Sequence, residues 1–157
     1  MAFTAQDVKK LREMTNVGMM DCKKALQATD GDMDKAVDWL REKGLAKAAK
    51  KADRVAAEGV AYATVVNGVG VAIEVNSETD FAAKTDAFMD LVKNLAVVVA
   101  EQNPADVEAL KACTYPNSNL TVTEIMQEKV MSIGENMQIR RFARFPENTS
   151  VAYVHAG

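Results

Sequence analysis

Between Val69 and Asp90 the chain changes its hydrophobic period, and that change constrains the fold more than any other feature. Val69, Val71, Ile73 and Val75 alternate with Gly70, Ala72, Glu74 and Asn76, a period of two that predicts a strand with one buried face ending near Asn76. Beyond it Ser77, Thr79 and Asp80 are helix-capping types. The apolar positions then fall at Phe81, Phe88, Val92, Leu95 and Val99, one face of a helix running from about Asp80 to Gln102. An acidic residue and an aromatic ring, Asp80 and Phe81, therefore stand side by side where a strand turns into a helix. Scaffolds tend to present working groups at such junctions.

Two readings of that pair follow from the residues. In one, Asp80 caps the helix and Phe81 joins the buried stripe of Phe88. In the other, the helix start is exposed and Phe81 is an aromatic anchor for a partner's pocket, with a charge beside it. Met19 and Met20 carry the same ambiguity. Adjacent residues cannot both face one helical core, so at least one should lie near the surface, where methionine suits an adaptable contact.

Around this junction the chain reads as an α+β protein. Residues 4–44 predict three short helices. The first is capped by Thr4 and turns Val8 and Leu11 inward. The second follows Thr15-Asn16-Val17-Gly18 and buries some of Met19, Met20, Cys22, Ala25 and Leu26. The third follows Asp30-Gly31-Asp32 and turns Met33, Ala36, Val37 and Leu40 inward, with Trp39 either adding to this core or lying on its surface. None is long enough to be stable alone, but packed together they make a unit of about 40 residues.

Residues 45–55, rich in Ala and Lys, predict a basic, helical connector with little core of its own. Val60 to Val66 is strand-forming, and Asn67-Gly68 is a favoured hairpin turn into the next strand. Pro104 to Val107 opens a short helix, Tyr115 to Asn119 is a loop, and Thr121-Val122-Thr123-Glu124 has capping-box spacing for a helix to about Ile133. Gly134-Glu135-Asn136 breaks that helix. Met137, Ile139, Phe142 and Phe145 predict an irregular strand, and Val151, Tyr153 and His155 a last one. The chain then stops without a closing helix, which leads us to expect a domain cut short.

Composition narrows the function. No apolar run approaches the roughly 20 residues that span a bilayer, and the first residues lack the order of a signal peptide, so a cytoplasmic protein is expected. Residues 1–54 carry 12 Lys/Arg against 9 Asp/Glu and residues 55–157 carry 7 against 13, so neither half is basic enough to argue for direct nucleic-acid binding. Cys22 and Cys113 lie far apart and form neither a disulfide framework nor a zinc motif. Cys22 and His155 are a nucleophile and a base at opposite ends of the chain with no orienting third group. Phosphate-loop, dinucleotide and metal-ligand spacings are absent. For an enzyme the inventory is thin.

Five ordered blocks resemble the elongation factor Ts family. They run from Val8 to Leu26, centred on Asn16-Val17-Gly18-Met19-Met20; from Ala48 to Val60, with Lys50-Lys51-Ala52-Asp53-Arg54; and from Glu74 to Lys84, with Thr79-Asp80-Phe81-Ala82. Ile133-Gly134-Glu135-Asn136 to Arg141 and Tyr153-Val154-His155 complete the set. Asn16 stands where the family commonly has glycine, and asparagine tolerates the left-handed backbone such a turn needs. The family also continues past this region into a second, similar subdomain.

The resemblance implies a guanine-nucleotide exchange factor without cofactor or catalytic residue. Its partner would be elongation factor Tu, GDP-bound and nucleotide-free, with no membrane role. The three-helix unit would resemble a ubiquitin-associated domain and dock through Met19 and Met20. Asp80 and Phe81, flanked by Thr79 and Ala82, would wedge into the partner and disturb its Mg²⁺ site. Lys23, Lys51, Ile133, Gly134 and His155 match positions expected near the interface. The combined reading divides the chain into a docking domain (1–44), a connector (45–55), a core subdomain of helices and antiparallel sheet (56–140) and the start of a second subdomain (141–157). Two other readings of the residues are a helical interaction module for an unrelated partner and a tRNA- or ribosome-binding protein.

Overall fold

The computed structural model describes residues 3–146 and 150–153. It is an α+β structure that divides into two compact units, residues 1–53 with 126–134 and residues 54–125 with 135–157.

The first unit is built on α1 (Ala5–Thr15), α2 (Met19–Ala28) and α3 (Met33–Lys51). Thr4 and Asp7 form a reciprocal capping box at the start of α1, and the hydrogen bonds from Thr4 hold the Asp7 carboxyl below its ordinary value. Asn16 ends the helix in the left-handed conformation at φ 53°, as the asparagine in the glycine position requires. Val8, Leu11, Val17, Cys22, Ala25, Leu26, Ala36 and Leu40 make one buried cluster, on which Trp39 packs partly exposed with Lys43 over its ring.

One correction concerns the connector. The third helix does not stop at Gly44 but continues to Lys51, so residues 45–51 complete α3. Glycine costs a helix interior about 1 kcal/mol, but Ala, Leu and Lys around it are good helix formers. Gly44 is also buried, and a Cβ there would stand 3.4 Å from the Gln127 carbonyl, in close contact with that neighbouring backbone.

The second unit is organised on a three-stranded antiparallel sheet, in which β2 (Val69–Ser77) lies between β1 (Glu58–Val66) and β3 (Met137–Phe145). Asn67 and Gly68, with φ 49° and 82°, close the β1–β2 hairpin in the double left-handed turn that its twist favours. The irregularity expected in the strand after Asn136 is a bulge. Glu74 pairs with Arg141 and Val75 with Ile139, so Arg140 is the extra residue. Arg141 then bonds the Glu74 carboxylate at 2.7 Å and lowers its pKa, with Arg140 3.9 Å away.

Three helices complete this unit's described elements, and the start of a fourth follows them. Between Asp80 and Gln102 there are two helices rather than one, α4 (Asp80–Ala83) and α5 (Asp86–Gln102). Thr85 causes the break: its hydroxyl donates to the Ala82 carbonyl at 2.7 Å and accepts from the Phe88 amide at 3.3 Å, ending one helix and capping the next. On α5, Phe88, Leu91, Val92, Leu95, Ala96, Val98 and Val99 are all fully buried. Arg144 donates to the Ala100 carbonyl through Nε and Nη2, a cation suited to a helix C-terminus. Asp106 caps α6 (Val107–Ala112), and Thr121 with Glu124 forms the expected capping box of α7 (Val122–Ile133).

Two further expectations change at the end of the chain. The division placed at residue 140 falls inside β3, because that strand keeps pairing with β2 out to Phe145. Val151 to Tyr153 form no strand and are exposed, and His155 lies outside the described residues. Among the described residues, no helix is long and apolar enough to cross a membrane.

Gly59 is the tightest point of the hairpin. At φ 142° it occupies a region almost reserved for glycine, and a Cβ there would lie 2.1 Å from the Val75 carbonyl. Gly59→Ala is expected to lower unfolding stability by about 3 kcal/mol or more. Gly68→Ala, with positive φ but open space around it, should cost only about 1 kcal/mol. Urea unfolding followed by circular dichroism compares them.

Candidate partner-binding site

Phe81 is 79% exposed. Burying a phenylalanine side chain is worth about 1.5–3 kcal/mol, and here that gain is not taken. The ring does not share the stripe of Phe88, because the break at Thr85 releases α4 from the periodicity of α5. The reading in which Phe81 is a core residue is therefore overturned. So is the capping role given to Asp80: Thr79 is the cap, its hydroxyl accepting from the Ala82 amide at 3.3 Å, while Asp80 occupies the first turn. Ala82 and Ala83 are buried and seat the helix, which leaves Asp80 and Phe81 facing outward.

The Asp80 carboxylate accepts from Lys84 at 2.9 Å, and this hydrogen bond holds its pKa below the ordinary carboxylate value. Asp80 is thus charged at neutral pH. Being in the first turn, it also faces the positive end of the short helix.

The turn before α4 is held by residues that sequence reasoning did not assign. Glu135 Oε2 accepts from the amides of Glu78 and Thr79 at 3.1 and 3.0 Å, and Oε1 accepts from the Thr79 hydroxyl at 2.6 Å. Glu78 in return accepts from the Asn136 amide at 2.7 Å and from Arg54 at 3.4 Å. The Asn136 side chain donates to the Arg54 carbonyl at 2.8 Å. No local pattern announces this arrangement, since 57 residues separate Glu78 from Glu135. The only hint was that Gly134-Glu135-Asn136 interrupts a helix with a carboxylate in its middle.

The remaining candidates among the described residues lie in the first unit. Met19 and Met20 begin α2 and are both exposed, 48% and 65%, beyond the requirement that one of them be so. Lys23 is exposed one turn further along the same helix. Lys51, at the end of α3, donates its ammonium to the carbonyl of Gly134, which follows Ile133 at the end of α7 with φ 89°. The structure thus brings Lys51 and Gly134 together, and separately gathers Thr79, Asp80, Phe81 and Ala82.

Among the described residues, no group of three or more His, Cys, Asp or Glu side chains is arranged to hold a metal. Cys22 is fully buried, and burial pushes its thiol pKa up, the opposite of an activated nucleophile.

Comparison with known proteins adds to this geometry. Residues 78–157 match the family model described as Elongation factor TS. Elongation factor Ts of Trichlorobacter lovleyi is 51% identical over an alignment covering 100% of this chain and 52% of the relative. Elongation factor Ts of Cereibacter sphaeroides is 55% identical, covering 99% of this chain and 51% of the relative. The chain spans about half the length of these curated relatives.

The contrast between the two phenylalanines is measurable. Phe81→Ala should change unfolding stability by less than about 0.5 kcal/mol, as for an exposed residue. Phe88→Ala, which empties a fully buried site, should cost about 3–5 kcal/mol. Denaturant midpoints of the two variants decide it.

Proposed function

This chain belongs to the elongation factor Ts family, and on that premise we propose that it promotes GDP release from elongation factor Tu by binding rather than by a chemical step. The observation that carries the reading is Phe81, an exposed aromatic ring on a turn braced from below, beside an ionised Asp80. Such a ring gains its burial energy only in a complex, which is the behaviour of an interface anchor. Asp80 and Phe81 act as the wedge that disturbs the partner's Mg²⁺ site. Thr79 and Ala82 serve as the cap and the buried seat of the same helix.

Met19 and Met20 dock the partner. Their flexible, polarizable side chains are exposed at the start of α2 and suit an adaptable apolar contact. Lys23, Lys51, Ile133, Gly134 and His155 are assigned to the surroundings of the interface through their match to family positions.

The energetics are those of linkage. Mg²⁺ neutralises phosphate charge, so binding that displaces it weakens GDP. By reciprocity GDP weakens the exchange factor's binding by the same ratio. The factor therefore binds the GDP-bound and nucleotide-free partner with different affinities, and neither protein is chemically changed.

Release of a fluorescent GDP analogue from purified elongation factor Tu tests the reading. Added chain should accelerate release saturably, and absence of acceleration would refute the proposal. Asp80→Ala and Phe81→Ala should each lower the rate at saturation by about tenfold. Replacing Met19 and Met20 together by Ala should chiefly raise the concentration needed for half-saturation. A fall in the saturating rate at unchanged half-saturation for the methionine variant would overturn this division of roles.

A further inference from the structure

We propose that Glu135 is a positioning residue for the exchange step, fixing the turn that aims Asp80 and Phe81 while making no contact with the partner itself. The proposal rests on the exchange reading above and extends it to a residue which that reading does not use.

Helix α4 spans four residues, about a single turn, and one turn of helix has no stability of its own. Its direction must come from what holds its start. There, the amides of Glu78 and Thr79 both donate to one oxygen of Glu135, and the Thr79 hydroxyl donates to the other. The same hydroxyl accepts from the Ala82 amide, one residue beyond Phe81. A continuous path of hydrogen bonds thus runs from Glu135 through Thr79 into the helix that carries the wedge. The carboxylate makes these bonds charge-assisted, and so stronger than neutral ones.

The support is also reciprocal. Glu78 accepts from the Asn136 amide, so each carboxylate secures the backbone of the other's loop, and Arg54 bonds both Glu78 and Asn136. The two carboxylates are directed at backbone amides, which explains why this acidic pair is structural rather than a cation site. A binding group held in its bound geometry loses less freedom on association, so more of its contact energy remains for disturbing the partner.

The test is a double-mutant comparison in the GDP-release assay. In the otherwise unchanged chain, Glu135→Ala should lower the saturating release rate by about tenfold with little change in half-saturation. In an Asp80→Ala/Phe81→Ala background the same change should lower residual release by less than about twofold. Glu135→Gln keeps a carbonyl oxygen toward the two amides and should restore part of the rate. It also carries the comparison should the alanine variant fail to fold. Equal losses in both backgrounds, or a loss confined to half-saturation, would overturn the proposal. If the unchanged chain accelerates no release, the exchange reading falls. Amide hydrogen exchange at Thr79 to Ala82 then judges the brace alone: faster exchange in the Glu135 variants upholds it, and unchanged exchange refutes it.

Discussion

Burial of α5 against the central strand β2 is the constraint from which the second unit follows. Val71, Ile73 and Val75 are buried on β2, and the buried positions of α5, from Phe88 to Ala100, cover a little more than half of its circumference, with Asp90 and Lys93 on the exposed side. A helix so apolar must be covered, and a sheet face so apolar must cover something. The register of β2 is fixed as a consequence, because a slip of one residue would exchange Val71, Ile73 and Val75 for Ala72, Glu74 and Asn76. Once β2 is set, the Asn67-Gly68 turn sets β1, and the bulge at Arg140 adjusts β3 to the same strand.

That rigid layer makes the short segment between β2 and α5 informative. Seven residues, 78–84, join the end of β2 to the Thr85 cap of α5, and in them the chain forms one turn of helix with a phenylalanine left in solvent. Had the helix run on unbroken from Asp80, Phe81 would have shared the face of Phe88. Thr85 prevents this by bonding the Ala82 carbonyl near the end of one helix and an early amide of the next with a single hydroxyl. The exposure of Phe81 therefore results from a local hydrogen-bonding choice, and its precision from the Glu78–Glu135 brace below it.

An exchange factor of the kind proposed would need both properties. Its anchor must be unsatisfied in the free protein, so that burial energy is available on binding, and must be held firmly, so that this energy is spent on the partner's site rather than on ordering the anchor. The described residues show no metal cluster, and Cys22 is a buried core thiol.

Periodicity and capping chemistry determined much of this protein. The alternation at 69–75, the Asn-Gly turn, the stripe from Phe88 to Val99, the Thr4 and Thr121 caps and the left-handed Asn16 can all be read from neighbours in sequence, because each depends on interactions within a few residues. The same local patterns left Phe81 undecided and placed helix ends wrongly at Gly44 and across Thr85. The break at Thr85, and with it the exposure of Phe81, was a choice among competing local hydrogen bonds that periodicity does not rank. The run of α3 past Gly44, by contrast, met a carbonyl distant in sequence. Only the tertiary structure brought Glu135 under the turn at Glu78 and Thr79, since a hydrogen bond across 57 residues leaves no periodic trace and becomes specific only when β2 and β3 have paired.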